Sequence, residues 1–185
     1  MGRNKINKPK AVFLDRDGVL NQNIFYQDTN EWESPRRLSE FKFVDGAILA
    51  IKKLQDAGFL LFIVTNQPSY AKGKATLRDL KKILRFCENE LQKNDIKITK
   101  IYCSFNHPKS IILELAKECK YRKPSAGALL EAEQEFNLDM KNSWMIGDRD
   151  TDIECGKTAG VKTIKIAPDA VLNISEAVNK IINNK

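Results

Sequence analysis

Short apolar runs alternate with amphipathic segments along most of the chain. Five runs have the length and apolar character of buried strands: 11–14, 59–64, 98–103, 144–146 and 161–166. Five segments place apolar residues at helical spacing: 47–54, 76–91, 125–136, 151–159 and 174–183. Because strands and helices alternate, the pattern predicts an α/β fold with a mostly parallel sheet covered by helices on both faces.

Residues that commonly begin or end helices flank several of these segments. Asp45 and Ser125 are expected to cap the first and third helices, and Gly58 is expected to end the first. Residues 22–43 are polar and lack periodicity, which predicts a loop or flap. No segment is long enough for a separate cap domain, so we expect one domain over residues 1–185.

The composition is that of an ordinary globular protein, with 42% hydrophobic and 30% charged residues among 185. No apolar run approaches the roughly 20 residues of a membrane-spanning helix. The basic N-terminus lacks the apolar stretch of a secretory signal. We therefore expect a cytoplasmic protein without a membrane partner, whose four scattered cysteines form no disulfides.

The net charge of +7 is compatible with two kinds of partner, nucleic acid and a small phosphorylated substrate. The sequence lacks aromatic residues interleaved with Lys and Arg that would stack single-stranded bases, so we do not expect a nucleic-acid partner. The single histidine excludes mechanisms that need two in one chain. Neither a cysteine-phosphatase motif nor a phosphate-binding P-loop motif is present.

Side chains capable of phosphate or metal chemistry stand directly after three of the predicted strands. These residues are Asp15, Asp17, Thr65, Asn66, Asp148 and Asp152. A cation, Lys123, stands just before a predicted helix. Ligands of parallel α/β sheets bind beyond the carboxyl ends of the strands. We therefore expect these distant segments to converge on one edge of the sheet.

Two acidic clusters dominate this predicted edge. Asp15 and Asp17 can both face a phosphate only if the backbone turns, which Gly18 permits. Together with the second cluster, 148–152, they would form an oxygen-rich site that suits Mg²⁺ and would be electrostatically costly without a cation. Taken singly, each feature also has a structural interpretation: a turn, a capped helix with an acidic first turn, and a surface lysine at Lys123.

Four motifs occur in the order and approximate spacing of those of the haloacid dehalogenase (HAD) superfamily. They are FLDRDGVLN (13–21), TNQ (65–67), RKP (122–124) and GDRDTDIECG (147–156). The sequence thereby resembles the branch that contains D-glycero-D-manno-heptose 1,7-bisphosphate phosphatases and the related histidinol phosphatases. The resemblance implies a Rossmann-like three-layer fold without a large cap domain. It also implies a Mg²⁺-dependent phosphatase that forms an aspartyl-phosphate intermediate.

The resemblance further implies a role for each motif residue. Asp15 would be the nucleophile and Asp17 the general acid and base. Asp15, the backbone carbonyl of Asp17 and Asp148 would hold Mg²⁺. Thr65 or Asn66, together with Lys123, would neutralise the transferring phosphoryl group.

Residues near the motifs are candidates for supporting these groups and for binding the rest of the substrate. Asp152 would orient Lys123 or the water shell of the metal rather than bind the metal directly. The candidate substrate-binding residues are Asn66, Gln67, Arg122 and Arg149, with Arg36, Arg37 and Lys72 as further cations for a second phosphate.

The resemblance favours hydrolysis of a heptose 1,7-bisphosphate during the synthesis of lipopolysaccharide or capsule precursors. Histidinol phosphate or another small phosphomonoester is an alternative substrate, and a polynucleotide 3′-phosphatase is a second alternative. A non-catalytic protein on the same fold is a third interpretation, against which the presence of both Asp15 and Asp17 argues. We expect a monomer.

One departure from the family pattern lies in the segment 103–121. Many heptose bisphosphate phosphatases carry a zinc loop of the pattern C-x-H…C-x-C here. Cys103, His107 and Cys119 remain, but Tyr121 stands at the fourth position, and structural zinc sites normally have four protein ligands. We therefore do not expect zinc. Instead, we expect apolar packing to hold this loop through three residues: Ile111, Ile112 and Leu115.

Overall fold

A parallel sheet lies at the centre of the computed structural model, which describes residues 8–166 and 173–184. Within these residues the strands are β1 (Ala11–Leu14), β2 (Ile24–Tyr26), β3 (Glu31–Glu33), β4 (Leu60–Asn66), β5 (Ile98–Ser104), β6 (Trp144–Gly147) and β7 (Lys162–Lys165). Five of them form one sheet in the order β5-β4-β1-β6-β7, and each neighbouring pair is parallel. The predicted parallel α/β sheet is confirmed.

The helices of the described residues are α1 (Ala47–Asp56), α2 (Leu77–Lys93), α3 (Gly127–Phe136), α4 (Asp150–Thr158) and α5 (Ile174–Asn183). None of them is both long and apolar enough to cross a membrane. Two predicted caps are wrong. The residue before α1 is Gly46 rather than Asp45, and its φ of 78° suits glycine. The residue before α3 is Ala126 rather than Ser125, whose hydroxyl donates to the Lys120 carbonyl (2.8 Å) and accepts the Gly127 N–H at 3.4 Å.

The two faces of the sheet bury separate apolar layers. Along β1, Val12 and Leu14 pack with α1, α2 and α5, whereas Ala11 and Phe13 pack with α3 and α4. All four side chains are fully buried, as is typical of a central strand covered on both faces. Packing on both sides holds β1 in place, so Asp15, the next residue, leaves the sheet at a defined point on its edge.

The segment 22–43 forms a flap with regular structure, where the sequence pattern predicts an irregular loop. Its strands β2 and β3 pair as an antiparallel hairpin, and a short 3-10 turn follows at Leu38–Glu40. The Arg36 guanidinium lies 3.7 Å from the centre of the Tyr26 ring and pairs with Asp28 (2.7 Å). Such contacts hold strands of only three residues each, too short for an alternating pattern to be recognised.

The loop between β5 and α3 is held by backbone hydrogen bonds. The His107 N–H donates to the Leu115 carbonyl (2.9 Å), and the Ile111 N–H donates to the Ala71 carbonyl (2.9 Å). The Ile111 side chain is 75% exposed. The expected apolar packing is therefore wrong for Ile111, which contacts the rest of the protein through its backbone N–H.

Candidate active site

The carboxyl ends of three neighbouring strands bring the motif residues together. Strand β1 lies between β4 and β6 in the sheet. Asp15 follows β1 and donates its backbone N–H to the Ile146 carbonyl of β6 (2.9 Å). Thr65 lies at the end of β4, and Asp148 follows β6. The sheet therefore gathers these residues on one edge, where α/β proteins bind their ligands.

Lys123 lies buried among the acidic residues, with 2% of its surface exposed. Its Nζ lies 2.8 Å from Asp15 Oδ1 and 2.6 Å from Asp152 Oδ1, and it donates to the Val64 carbonyl (2.7 Å). These oxygens offset the cost of removing an ammonium group from water. Lys123 is therefore not a surface lysine, and Asp152 lies where it can orient Lys123.

Three carboxylates form the one group of potential metal ligands within residues 8–166 and 173–184. Oxygens of Asp15, Asp148 and Asp152 lie within 4.8 Å of one another. The Asp152 oxygen contacts Lys123, whereas Asp148 Oδ1 is buried and has no hydrogen-bond partner among these residues. Oxygen ligands of this kind suit a hard divalent cation, so the residues present fit a metal ion at Asp15 and Asp148.

Burial makes negative charge costly at this site. It raises the pKa of Asp15 to about 7, with Lys123 acting in the opposite direction and the neighbouring carboxylates adding to the rise. Burial also raises the pKa of Asp148, and Arg149 acts against it. A cation bound between these carboxylates would favour their charged forms.

Two glycines let the backbone approach the carboxylates closely. Gly18 has a φ of 79°, and a Cβ at this position would lie 2.2 Å from Asp148 Oδ2. A Cβ on Gly147 would lie 2.1 Å from the Asp152 Cβ. Both distances are far below van der Waals contact, so a larger residue at either position would displace an acidic side chain.

A cavity of about 250 Å³ opens next to these groups. Asp15, Asp17 and Lys123 line it, and so do the flap residues 31–34. The flap is anchored by Glu33, whose carboxylate accepts from Lys74 Nζ (2.6 Å). This contact joins residues far apart in the chain, so no sequence motif identifies residues 31–34 as the part of the flap that lines the cavity.

Three cations also line the cavity, and we call them the cation patch: Lys72, Arg122 and Arg149. In the described parts of the chain, none of them pairs with a carboxylate. Arg122 donates to the Asn106 carbonyl (2.7 Å), and Arg149 donates to the Trp32 carbonyl (3.4 Å). Burial lowers the pKa of the Lys72 ammonium, and the nearby Lys74 lowers it further. Because no carboxylate of the described residues pairs with the three cations, the patch has charge available for an anion.

The two flap arginines proposed for a second phosphate lie elsewhere. Arg36 pairs with Asp28 (2.7 Å) and Glu33 (3.0 Å), and Arg37 pairs with Glu40 (2.5 Å). Neither lines the cavity among the described residues. Carboxylates within the flap pair with both guanidinium groups, so the structure does not support these two as anion ligands.

Three polar residues at the end of β4 take different positions. Asn66 lines the cavity. It also donates to the Lys123 carbonyl (3.0 Å) and accepts the Lys123 N–H (3.1 Å). Thr65 and Gln67 are 1% and 0% exposed, and the described cavity lining includes neither. Gln67 donates to Thr65 Oγ1 (2.8 Å) and to Asp17 Oδ2 (2.6 Å). Its amide therefore faces Asp17, so the direct substrate contact expected of Gln67 does not fit its position.

Three residues around the first motif belong to the site but are not among the predicted site residues. Arg16 is fully buried beside Asp17. Asn21 donates to Asp17 Oδ1 (3.0 Å), and Asn23 donates to Asp148 Oδ2 (3.1 Å). A signal for Arg16 exists in the sequence, because a charged residue between two motif acids at the end of a buried strand has little access to water. The asparagines carry no such signal, since polar loop residues commonly face solvent.

The three residues that remain of the zinc-loop pattern do not gather into a metal site in the described part of the chain. The His107 Nδ1 accepts the Lys109 N–H (3.0 Å). Within the described residues, Cys103, His107 and Cys119 therefore form no preformed set of zinc ligands.

Sequence comparisons identify relatives over most of the chain. A family model described as HAD-hydrolase-like matches residues 120–170. A D-glycero-α-D-manno-heptose-1,7-bisphosphate 7-phosphatase of Campylobacter jejuni is 39% identical over 157 residues, which is 85% of this chain and 81% of the relative. A D-glycero-β-D-manno-heptose-1,7-bisphosphate 7-phosphatase of Escherichia coli K12 is 34% identical over 83% of this chain and 76% of the relative.

Solved structures share the fold. A protein of Mesorhizobium loti described as a HAD-like phosphatase has a TM-score of 0.80 at 24% identity, covering 99% of this chain and 88% of that protein. The D,D-heptose 1,7-bisphosphate phosphatase of B. bronchiseptica, complexed with magnesium and phosphate, has a TM-score of 0.76 at 19% identity, covering 95% and 99%. With the identities of the relatives above 30% over most of both chains, this chain belongs to the heptose-1,7-bisphosphate 7-phosphatase family of the HAD superfamily and is a phosphoric monoester hydrolase.

Proposed function

We propose that the protein removes the 7-phosphate of D-glycero-D-manno-heptose 1,7-bisphosphate in a Mg²⁺-dependent reaction. The observation that carries this proposal is the pairing of two features in one cavity. A buried cluster of carboxylates around Lys123 lines it together with the unpaired cation patch. The first feature suits phosphoryl transfer, and the second suits another phosphate on the same substrate. The heptose as the sugar of the substrate is inferred from the names of the relatives.

In the proposed first step, Asp15 attacks the phosphorus atom. Its Oδ1 contacts Lys123 Nζ (2.8 Å) and accepts the Arg16 N–H (2.7 Å), which leaves Oδ2 as the attacking oxygen. A bond forms from Asp15 Oδ2 to phosphorus as the bond from phosphorus to the sugar oxygen breaks. Asp17 gives its proton to the sugar oxygen, so the sugar leaves as an alcohol.

In the second step, water releases the phosphate. Asp17, now a carboxylate, takes a proton from water, and the water oxygen attacks phosphorus. The bond from phosphorus to Asp15 breaks, which restores the Asp15 carboxylate and frees inorganic phosphate. Lys123 stays beside Asp15 throughout and stabilises the negative oxygens of the transferring group.

The acidic residues would also hold magnesium. Asp15, Asp148 and the backbone carbonyl of Asp17 are the proposed ligands, because the Asp17 carboxylate is occupied by other donors. When bound, Mg²⁺ supplies positive charge that offsets the negative charge of the phosphoryl oxygens.

The cation patch distinguishes a bisphosphate from histidinol phosphate, one of the alternative substrates. Lys72, Arg122 and Arg149 would attract the phosphate that is not transferred. Histidinol phosphate carries a cationic amine at its other end, which the same patch would repel. The patch therefore supports a bisphosphate over histidinol phosphate.

Phosphate release from a substrate panel tests the proposal. The panel contains both anomers of heptose 1,7-bisphosphate, a heptose monophosphate, histidinol phosphate and a 3′-phosphorylated oligonucleotide, each with Mg²⁺. We expect the highest kcat/KM with one heptose bisphosphate and no turnover by Asp15→Asn, because the amide is a poor nucleophile. Hydrolysis of the oligonucleotide alone would contradict the proposed substrate, and full activity of a folded Asp15→Asn would contradict the proposed nucleophile.

A further inference from the structure

The two oxygens of the Asp17 carboxylate have different surroundings. Oδ1 accepts three hydrogen bonds, from Arg16 Nε (3.2 Å), Arg16 Nη2 (2.7 Å) and Asn21 Nδ2 (3.0 Å). In the described parts of the chain, Oδ2 accepts one, from Gln67 Nε2 (2.6 Å). An oxygen with three donors has no lone pair left for a proton, whereas Oδ2 has one available.

Gln67 connects the first and second motifs below the cavity. Its Oε1 accepts from Arg16 Nη2 (3.0 Å), and its Nε2 donates to Asp17 Oδ2 and to Thr65 Oγ1 (2.8 Å). A reversed amide would bring its NH₂ group against the guanidinium and its oxygen against the carboxylate. Both contacts would be repulsive, so the partners themselves set the orientation of the amide. The Gln67 backbone is held as well, because its N–H donates to the Ser104 carbonyl (2.7 Å).

The burial of Arg16 indicates that this arrangement has a cost. The side chain is fully inside the protein, and its Nη1 has no hydrogen-bond partner among the described residues. A buried guanidinium destabilises a fold unless its charge is well paired, and an unsatisfied buried donor adds to that cost. Replacing the arginine alone by an apolar residue would leave the buried Asp17 carboxylate without its cation, so Arg16 acts through Asp17.

We propose that Arg16 and Gln67 are positioning residues for proton transfer by Asp17. Arg16 and Asn21 anchor Oδ1, and Gln67 directs Oδ2, which is the oxygen that gives a proton to the leaving group and takes one from water. The proposal rests on the acid–base role given to Asp17 above. It does not depend on the heptose, because any alkoxide that is a poor leaving group needs the same proton.

The dependence of the rate on the leaving group provides a readout. This dependence would not change if Arg16 and Gln67 had only a structural role. Phenolate is a strong base and leaves better when it is protonated, whereas p-nitrophenolate leaves readily as an anion. The parameter kcat/KM reports the steps through departure of the leaving group. A misplaced Asp17 should therefore reduce kcat/KM for phenyl phosphate much more than for p-nitrophenyl phosphate.

Gln67→Met tests this inference, because methionine has a similar length and cannot hydrogen-bond in the same way. We expect kcat/KM for phenyl phosphate to fall about 10²-fold, within the range of general acid catalysis. The fall for p-nitrophenyl phosphate should be less than about 10-fold, since that ester does not need the acid. Ser143→Ala is the matched control. Ser143 is fully buried and its hydroxyl accepts the Ala11 N–H (2.9 Å), so this variant loses a buried hydrogen bond that does not involve Asp17.

Arg16→Lys repeats the test with the charge retained and the paired N–H groups lost. It is the variant to use if the melting curve of Gln67→Met shows that it does not fold. An equal loss on both esters, or no loss, in a folded variant would overturn the inference. An unequal loss as predicted would support it even if no heptose ester proved to be a substrate, so the substrate proposal can fail separately.

Discussion

Lys123 lies between Asp15 and Asp152, with 2% of its surface exposed. A buried ammonium between two carboxylates is tolerated because each charge compensates the others. Removing the lysine would leave two carboxylates close together without their cation. The catalytic charge and part of the folding free energy therefore depend on the same contacts.

Lys123→Met should lower kcat/KM by a factor on the order of 10²–10³, which is the usual effect of removing one preorganised donor from an active site. It should also lower the free energy of unfolding by about 3–5 kcal/mol, the usual effect of breaking a buried ion pair. Adding Asp152→Asn should restore part of the stability, because one uncompensated carboxylate is removed, but it should restore no activity. Urea denaturation and kinetics measure the two effects. A double variant no more stable than the single one would contradict this account.

At the scale of elements, the flap hairpin of β2 and β3 completes the cavity. Glu33 links the hairpin to the loop before α2 through Lys74 (2.6 Å), and it also pairs with Arg36 (3.0 Å). Burial alone would raise the pKa of Glu33, but the hydrogen bonds from Lys74 and Arg36 lower it overall. The carboxylate thus stays charged and holds the flap beside the cation patch.

Lys74→Met should release this link without touching the carboxylate cluster. We expect KM for the heptose bisphosphate to rise about 3- to 10-fold, equivalent to roughly 1 kcal/mol of a partly buried ion pair. Turnover of p-nitrophenyl phosphate, which is too small to need the flap, should stay unchanged. Lys74→Arg should restore KM because it keeps the pair.

Lys93→Met is a control for the loss of a lysine, since Lys93 forms an exposed pair with Glu90 on α2. Similar KM values for Lys74→Met and Lys93→Met would mean that the flap link has no part in substrate binding.

For the whole molecule, the folded chain concentrates carboxylates at one point of a protein that is basic overall. The net charge is +7, which favours the approach of a phosphorylated substrate from solution. The acidic cluster exists only when β1, β6 and α4 are assembled, since its members come from distant segments. Metal binding should therefore be linked to folding of the entire domain. Cytoplasmic location and a monomeric state stay predictions.

Magnesium should raise the melting temperature of the protein. A cation that binds only the folded state adds about 2.7 kcal/mol at 100 times its Kd, which corresponds to several degrees for a domain of this size. Asp148→Asn should abolish the increase. Asp150→Asn should retain it, because Asp150 is exposed and pairs with Lys165 (2.7 Å) outside the cluster. An equal increase in both variants would contradict the proposed ligand at Asp148.

The sequence by itself determined the sheet and the gathering of the motifs. Buried strands need continuous apolar runs, and parallel strands end on a common edge, so the positions of Asp15 and Asp148 could be predicted from local pattern and order. The resemblance of the motifs added roles for Asp17 and Lys123. These inferences succeed because each depends on residues within one short segment, or on a rule that holds for every parallel sheet.

Only the tertiary structure decided which way the remaining polar residues face. Gln67 meets Asp17 across 50 positions and Glu33 meets Lys74 across 41, and no periodicity encodes a contact between such distant residues. The burial of Arg16 likewise depends on the packing of several segments around it. A polar residue after a strand can face the cavity or the interior with the same sequence pattern. Its direction is set by the hydrogen-bond partners that the complete fold brings within reach.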